Sequence, residues 1–356
     1  MFVHTAQVLD GLHSDREEDL ERKLSFGYLY DFRNPPLWQK PWQQLYGEVL
    51  DVISETERLG FEGAWVPEHH CTGDGYMPSP NVILAAIAAR TSKIRLGSGV
   101  GLAPLYNPVR FAEDCAVLSA LSGGRLEMSL AIGYRKREAA AFGVDFTKRG
   151  RIFDEFLEIV QRLWAGETVT YEGRHFQIEG AEISPLPDEG KVPLYLGGFA
   201  DKALARVARF ADGYFGNEEF VAPYKEKMAE IGKDPGDARV RLQGLFVNIA
   251  HDPEQAMEEL APYYHYVNEV YASWAAEDRA LGMDDTALKK IGLEEFKNSG
   301  ILQIWTPEQA IEKFTQLKER LPELEHYTFL MPAGFPPERC VEYARVFSEE
   351  VMPAVG

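Results

Sequence analysis

The chain has 356 residues, of which 45% are apolar and 26% are charged, and its formal net charge is −19. This composition is ordinary for a soluble globular protein, and the acidic balance argues against nucleic acid or an anionic membrane as a partner. The three cysteines form no paired framework, which favours a reducing compartment. No apolar run approaches the roughly 20 residues that a membrane span needs, and no signal-like segment is evident. We therefore expect a cytoplasmic protein.

Residues 1–23 are polar and acidic, and we interpret them as an N-terminal extension to a single domain that spans 24–356. Beyond the extension, short apolar runs alternate with segments of helical periodicity. The predicted strands cover 24–30, 63–67, 94–101, 126–132, 193–197, 213–216, 242–250 and 327–331. The predicted helices cover 43–59, 79–91, 108–121, 136–142, 148–165, 200–211, 220–232, 253–280 and 336–350. Eight strands, each followed by helix, predict an α/β fold of the (β/α)8 TIM-barrel type with insertions, rather than a doubly wound sheet.

Two stretches interrupt this repeat. Residues 168–180 alternate polar and apolar side chains around Glu172-Gly173, which predicts a hairpin insertion. Residues 276–305 have weak periodicity and contain three glycines. We expect a long loop or lid there, before the last strand, and long loops in compact domains are often functional.

The strand at 63–67 ends at a proline and delivers Glu68, His69 and His70 at its carboxyl end. This is the edge where α/β barrels carry their chemistry. Adjacent histidines point to opposite faces of a strand, and no second histidine–cysteine cluster is present, so the pattern does not favour a metal site. Two interpretations remain. Glu68 pairs structurally with one histidine, or one imidazole acts as a general base or hydrogen-bond donor while the carboxylate orients it.

The strand at 94–101 contains glycine at 97, 99 and 101. Alternating glycines weaken a strand unless another group approaches its backbone closely. The stretch is therefore either a tightly packed barrel strand or the support for a flat ligand that lies over the strand end.

Two later junctions between strand and helix are candidate anion sites. Gly133, Tyr134 and Arg135 follow the fourth strand, and Gly197-Gly198 ends the fifth. Backbone N–H groups at a helix start bind phosphate, and a guanidinium strengthens such a site. A solvated basic helix face is the alternative for the first junction.

The order of these features resembles that of the bacterial luciferase-like, flavin-dependent monooxygenases, over roughly residues 24–216. The resemblance rests on Gly60-Phe61-Glu62-Gly63-Ala64-Trp65, Glu68-His69-His70, Arg95-Leu96-Gly97-Ser98-Gly99-Val100, Asn107-Pro108-Val109-Arg110, Ser122-Gly123-Gly124-Arg125, Gly133, Glu138 and Phe142-Gly143. It implies a barrel that binds reduced FMN, supplied by a separate NAD(P)H-dependent flavin reductase. It also implies that O2 adds to the flavin as a hydroperoxide, which then oxygenates the substrate. Apolar side chains such as Phe26, Trp65 and Leu102 would suit a small, apolar organic substrate.

Carried over position by position, the resemblance implies roles for single residues. His69 matches the catalytic histidine, and Glu68 and His70 are its neighbours. Gly99-Val100 lies where the family has a non-prolyl cis peptide bond beneath the isoalloxazine ring.

The resemblance also implies which loops hold the ribityl phosphate. They correspond to Gly133, Tyr134, Gly197, Gly198 and Phe199. Luciferase has an arginine where this chain has Ile132, and Arg135 is the substitute that we expect.

We expect a flavin-dependent monooxygenase, assembled as a homodimer, and three other functions stay open. The first is an oxidoreductase of the same fold that uses a deazaflavin coenzyme. The second is a non-catalytic protein that stores flavin. The third, a metal-dependent barrel hydrolase, has the least support because the chain lacks a recognisable ligand set.

Overall fold

The structure is a computed structural model that describes residues 23–280 and 289–356. Side chains are described over these ranges except at 278–280. Apart from Lys23, the predicted N-terminal extension lies outside the described residues. The same holds for the middle of the predicted lid segment, at 281–288.

Within the described residues, eight parallel strands form one closed barrel. They are β1 (Ser25–Tyr30), β2 (Gly63–Val66), β3 (Arg95–Leu102), β4 (Met128–Ala131), β5 (Leu194–Leu196), β6 (Gly213–Gly216), β7 (Val240–Gly244) and β8 (Leu324–Met331). Each strand pairs with the strands before and after it in this series, and β8 pairs with β1 to close the ring. The predicted (β/α)8 TIM barrel is confirmed.

Helices follow the strands around the outside of the barrel. They are α1 (Trp42–Arg58), α2 (Pro80–Arg90), α3 (Pro108–Ser122), α4 (Lys136–Ala141), α5 (Arg149–Trp164), α6 (Asp201–Phe210), α7 (Val221–Glu230), α8 (Pro253–Ala280), α9 (Leu293–Asn298), α10 (Pro307–Arg320), α11 (Pro337–Glu350) and α12 (Met352–Val355). The amphipathic helices bury one face: Ile53 of α1 and Phe156 of α5 are almost fully buried. Burial of such stripes against the strands contributes stabilising apolar surface.

The predicted strand at 242–250 is wrong in its extent. The barrel strand β7 ends at Gly244, and Val247–Ile249 pairs with Gln303–Trp305 in a separate two-stranded parallel sheet. An unbroken apolar run has the same pattern whether its residues join one sheet or two.

The segment predicted as a loop or lid at 276–305 contains more regular structure than expected. Helix α8 extends into it, and α9 and the strand Gln303–Trp305 lie farther on. Helix α10 was not predicted, although its start carries a capping box between Thr306 and Gln309 and a proline at its first position. Both are signals for a helix N-terminus.

The predicted hairpin at 168–180 is confirmed, since Val169–Glu172 pairs antiparallel with Gln177–Ala181. Glu155 of α5 holds its turn, because its carboxylate accepts the backbone N–H groups of His175 at 2.9 Å and Phe176 at 3.1 Å. The insertion is therefore fixed to the outer wall of the barrel.

At the amino ends of the strands, the barrel interior contains a polar network around His326 of β8. Trp65 Nε1 donates to His326 Nε2 over 2.9 Å, and His326 Nδ1 lies 2.7 Å from Ser25 Oγ. Because Nε2 accepts, Nδ1 carries the proton and donates to Ser25. Arg241 lies nearby and pairs with Glu127 at 2.6 Å. Both nitrogens of this imidazole are therefore occupied by the protein itself.

None of the described helices is long and apolar enough to cross a membrane. In the part of the chain that the structure describes, no group of three or more His, Cys, Asp or Glu side chains is arranged to hold a metal ion. Cys71, Cys115 and Cys340 are free thiols, of which the last two are buried.

Candidate active site

The predicted site residues lie at the carboxyl ends of the barrel strands. β2 ends at Val66, and the following turn places Glu68, His69 and His70 at this end. All three side chains are buried, with 2%, 7% and 7% of their surfaces exposed. Parallel barrels present groups to their ligands at this edge.

His69 is paired with Glu138 of helix α4. Its Nδ1 lies 2.9 Å from Glu138 Oε1, and the same oxygen accepts the backbone N–H of His70 at 2.9 Å. An ionised carboxylate can only accept hydrogen bonds, so His69 Nδ1 is the donor. This tautomer leaves the lone pair of the imidazole on Nε2.

The electrostatics of the pair agree with this assignment. Burial alone would raise the pKa of Glu138, but the bonds from His69 and the His70 N–H, together with Arg135, lower it below 4.5. Burial has the largest influence on the pKa of His69 and lowers it below 6.5. The hydrogen bond and charge of Glu138 oppose this shift, and the charges of Arg135 and Arg33 add to it. At neutral pH the pair is therefore a neutral imidazole beside a carboxylate. Such a pair accepts a proton at Nε2 and stabilises the imidazolium that results.

Glu68 pairs with His70, whereas the partner of His69 is Glu138. Its Oε1 lies 2.9 Å from His70 Nε2 and accepts the Tyr106 hydroxyl at 2.7 Å, while Oε2 accepts the Leu102 N–H at 2.5 Å. These bonds tie the end of β2 to the end of β3. Of the two interpretations that the sequence left open, the structural pair describes Glu68 and His70. The carboxylate that orients His69 is Glu138.

Aromatic side chains enclose His69. The Tyr76 ring stacks on the imidazole with centroids 4.9 Å apart, and the Trp274 ring lies at 4.8 Å. Tyr271 approaches edge-on at 6.0 Å, and its hydroxyl lies 2.9 Å from that of Tyr76. Trp274 and Tyr271 belong to α8, so this helix covers the imidazole and limits its contact with water.

Arg135, the expected phosphate ligand, lies within this cluster. Its side chain is 2% exposed, its Cζ is 4.1 Å from the Trp274 ring centroid, and Nη2 lies 3.3 Å from Glu277 Oε2. Its Nη1 is 3.7 Å from Glu138 Oε1 and has no hydrogen-bond partner within the described residues. The guanidinium is thus buried beside His69, and its binding to a phosphate stays a prediction.

A second buried arginine, Arg33, lies on the other side of the cluster. Its Nε donates to Asp31 over 2.9 Å, and its Nη2 forms an ion pair with the same carboxylate. The Tyr76 ring covers the guanidinium, with Cζ 3.9 Å from the ring centroid. As in Arg135, the Nη1 atom is buried and makes no hydrogen bond to any described residue.

Strand β3 carries a cis peptide bond between Gly99 and Val100, as the resemblance implied. A Cβ atom at Gly99 would lie 3.1 Å from Trp65 Cβ, so a larger residue would crowd the barrel core there. A Cβ atom at Gly197 would lie 3.7 Å from Val100 Cγ1. The fold therefore brings the candidate residues that follow β5 against those of β3.

The remaining candidate cofactor residues lie on the rim of the barrel. Gly133 and Gly198 have φ values of 72° and 151°, which L side chains rarely adopt. Tyr134 and Phe199 are 38% and 63% exposed. The Tyr134 ring lies 5.7 Å from His69, so the loop after β4 borders the imidazole directly.

Reasoning from the sequence missed several residues of this cluster. Glu138 entered only as part of the family resemblance, although it follows Arg135 by three residues on a helix that begins at the same end of the barrel. Arg33 follows β1 as closely as His69 follows β2, a signal that was present in the sequence. No local signal indicates that Tyr271 and Trp274 lie above His69, because the direction of α8 depends on tertiary packing.

A closed (β/α)8 barrel with a buried histidine–carboxylate pair at the carboxyl ends of its strands has the form of a barrel enzyme. Residues 24–323 match the family described as luciferase-like monooxygenase. The chain therefore belongs to the luciferase-like monooxygenase family, and the resemblance drawn from its motifs is confirmed.

Two relatives represent different reactions. Limonene 1,2-monooxygenase of Rhodococcus erythropolis is 28% identical over 282 residues, which cover 76% of this chain and 71% of that protein. The F420-dependent glucose-6-phosphate dehydrogenase of Kineococcus radiotolerans is 27% identical over 228 residues, which cover 60% of this chain and 67% of that protein.

A solved structure shares the fold. It is the oxygenating constituent of 3,6-diketocamphane monooxygenase of Pseudomonas putida, a type II Baeyer-Villiger monooxygenase in complex with FMN. The TM-score is 0.74 at 18% identity, and the match covers 94% of this chain and 99% of that one. At this identity the likeness shows the fold alone.

Proposed function

We propose that this protein is a monooxygenase that uses reduced FMN and O2 to oxygenate a small organic substrate. The observation that carries the proposal is the buried His69–Glu138 pair at 2.9 Å, with the imidazole lone pair on Nε2. The family supports the oxidoreductase class, and limonene 1,2-monooxygenase is among the relatives.

The residues present fit a flavin at the carboxyl end of the barrel. Val100, which follows Gly99 in β3, lies close to Gly197 at the end of β5, and these residues would support a flat ring. Gly133, Tyr134, Gly198 and Phe199 lie on the rim beyond them, where the ribityl phosphate would be held. Three buried polar atoms at this end, Arg33 Nη1, Asp74 Oδ1 and Arg135 Nη1, have no hydrogen-bond partner within the described residues, as expected of a site built for a ligand.

The protein's own groups would act on protons and water. Reduced flavin, when bound, supplies the electrons that activate O2 for transfer of one oxygen atom. His69 Nε2 accepts a proton and returns it, while Glu138 keeps Nδ1 protonated and stabilises the imidazolium. Tyr76, Tyr271 and Trp274 exclude water, which would otherwise divert the activated oxygen to unproductive products.

We also propose that the flavin is delivered by an NAD(P)H-dependent flavin reductase and that the chain forms a homodimer. A separate reductase is supported by a sequence relative, the oxygenase component of the flavin-dependent trigonelline monooxygenase of Acinetobacter baylyi. For the homodimer, Val82 of α2 and Val117 and Leu121 of α3 are 69%, 44% and 61% exposed on neighbouring helices, an apolar face that a second copy would cover. Light scattering on the purified chain gives the mass of the assembly, and a Leu121→Lys variant should reduce it to that of one chain.

The test is an anaerobic titration with reduced FMN, followed by rapid mixing with O2 while absorbance is recorded. We expect saturable binding and a transient absorbance that differs from those of reduced and oxidised flavin. Glu138→Gln should leave flavin binding unchanged and lower product formation about a hundredfold, because a neutral amide no longer stabilises the imidazolium that forms when His69 takes up the proton. Glu167→Gln, a change to a half-exposed carboxylate, is the control. Tight binding without any product would favour the flavin-storage protein.

The second candidate is an oxidoreductase that uses the deazaflavin coenzyme F420. It is favoured by the F420-dependent glucose-6-phosphate dehydrogenase relative, which covers 60% of this chain. Titration with F420 under the same conditions, with its absorbance followed during turnover, separates the two. Binding of F420 but not of FMN would replace the monooxygenase proposal.

A further inference from the structure

We propose that Glu68 is a positioning residue: it fixes the end of β3 that would lie under the flavin, and it takes no part in proton transfer. The residue is buried, and the mechanism proposed above does not use it. Burial of an acidic side chain costs free energy unless its oxygens are engaged, so the contacts of Glu68 indicate its role. The inference rests on the flavin site proposed above, which includes Gly99 and Val100 of β3.

The end of β3 has reduced support from its neighbouring strands. β2 pairs with β3 as far as Val66, opposite Ser98, and Pro67 then follows without an N–H group. On the other side, the register between β3 and β4 shifts between Gly99 and Gly101. Backbone pairing with β2 therefore stops just before the segment that would carry the flavin, and the buried backbone groups of this segment need other partners.

Glu68 supplies a hydrogen-bond acceptor where β2 has ended. Its Oε2 accepts the N–H of Leu102 at 2.5 Å, whereas in a continuing parallel ladder a strand carbonyl would accept such a group. A Cβ atom added at Gly101 would lie 3.5 Å from the same oxygen, so the carboxylate lies against the backbone of β3. The side chain thus replaces a backbone acceptor for the last residue of β3.

Two side chains hold the other oxygen of Glu68. Its Oε1 accepts the Tyr106 hydroxyl at 2.7 Å and lies 2.9 Å from His70 Nε2. Burial raises the pKa of the Tyr106 phenol, and the charge of Glu68 and the hydrogen bond between the two raise it further, so the hydroxyl keeps its proton and donates. Both oxygens of the carboxylate are therefore engaged, which keeps it against Leu102.

Glu68 is separate from the pair that would transfer protons. Within the described residues, His69 Nδ1 is bonded to Glu138, and Glu68 makes no hydrogen bond to this imidazole. Burial lowers the pKa of His69, and Glu138 is the carboxylate that opposes this shift. Replacement of Glu68 should therefore weaken flavin binding and leave the pH dependence of oxygenation unchanged. Glu138→Gln should leave flavin binding unchanged and move the acidic limb of the rate profile to lower pH, because the imidazolium loses a stabilising charge.

The test compares two replacements of Glu68 in the full chain, with anaerobic titrations of reduced FMN and reduced riboflavin. Glu68→Met has a similar length but no oxygen for the Leu102 N–H. We expect it to weaken both flavins about tenfold and by the same factor, because the support of the ring and not of the phosphate is lost. Glu68→Gln can still turn an amide oxygen to Leu102, and its affinity should stay within about threefold of that of the original chain.

Glu57→Met is the matched control, because it acts at the opposite end of the same strand. Glu57 of α1 accepts the N–H groups of residues 92–94, just before β3, at 2.8, 2.7 and 2.9 Å. Its replacement should lower the free energy of unfolding without changing flavin affinity. If Glu68→Met does not fold, Tyr106→Phe decides, because it removes one bond that holds the carboxylate and should weaken both flavins about threefold.

Unchanged flavin affinity in folded Glu68→Met, or an equal loss in Glu57→Met, would overturn the positioning role. A loss for FMN but not for riboflavin would assign Glu68 to the phosphate, and a shifted pH profile in Glu68→Gln would assign it to proton transfer. If the original chain binds F420 but not FMN, the same loss is expected with F420, and the monooxygenase proposal alone fails. Binding of neither coenzyme by the original chain would reject both proposals.

Discussion

Two buried histidines lie at opposite ends of the barrel, His69 at its carboxyl end and His326 at its amino end. His326 is bonded at both nitrogens, to Trp65 and Ser25, within a polar network at the amino ends of the strands. His69 is bonded to Glu138 through Nδ1 and is otherwise surrounded by aromatic rings. Burial lowers the pKa of both imidazoles, so burial and a shifted pKa do not separate a structural histidine from a candidate catalytic one. What separates the two histidines is the second imidazole nitrogen, which is hydrogen-bonded to the protein in His326 but has no such bond among the described residues in His69.

The largest expected effect comes from His69→Ala. We expect flavin binding to be retained and oxygenation to fall by about 10²–10⁴, because the proton acceptor is removed. Product yield per flavin oxidised is the measurement. His326→Gln is the matched control. At temperatures where this variant is folded, its product yield per flavin oxidised should equal that of the original chain. Unchanged yield in His69→Ala would remove this residue from the mechanism.

His326→Gln should act on stability instead. Glutamine cannot satisfy Trp65 Nε1 and Ser25 Oγ together in the same geometry, and a buried group left unpaired costs about 1–3 kcal/mol. Chemical denaturation gives the free energy of unfolding. His251→Gln, at a 63% exposed position, should stay within about 0.5 kcal/mol of the original chain. A loss of stability no greater than in that control would mean that the network contributes little.

The pH dependence of stability should show the smallest effect. Both histidines have a pKa below 6.5 in the folded state, whereas in the unfolded chain it is about 6.5. Below pH 6.5 the unfolded state therefore binds more protons, and stability falls as pH falls, by at most about 1.4 kcal/mol per pH unit for each histidine. The pKa of Glu138 is lowered from 4.5, so the stability that this ionised carboxylate contributes is lost only in more acidic solution, as the pH falls through that range.

Thermal unfolding between pH 7.5 and 5.5 measures this slope. We expect His326→Gln and His69→Gln each to flatten it, because each removes an imidazole whose pKa is lowered by burial. Parallel slopes for the original chain and the His326 variant would contradict the assignment.

Much of the fold could be predicted from local patterns. The alternation of apolar runs with helical periodicity identified the eight barrel strands, and a proline and two imidazoles marked the carboxyl end of β2. The failures lie where local patterns are ambiguous. The run at 242–250 divides between two sheets, and helix α10 was overlooked despite the capping box at Thr306.

The candidate site was predicted in its location but not in its connections. His69 and the Gly99–Val100 bond were singled out, and the structure places both at the carboxyl half of the barrel. The partner of His69, however, was expected to be Glu68, its neighbour in sequence. That carboxylate is instead engaged by His70, Tyr106 and the Leu102 backbone.

By itself, the sequence determined that this chain forms a (β/α)8 barrel and that ionisable side chains follow its strands. Both properties are local, because strand periodicity and strand ends are written in consecutive residues. The tertiary structure decided which carboxylate orients His69, since Glu138 lies 69 residues away along the chain. It also decided that α8 covers the imidazole and that two guanidinium groups flank it. Such pairings depend on closure of the barrel, which brings the ends of separate strands to one face.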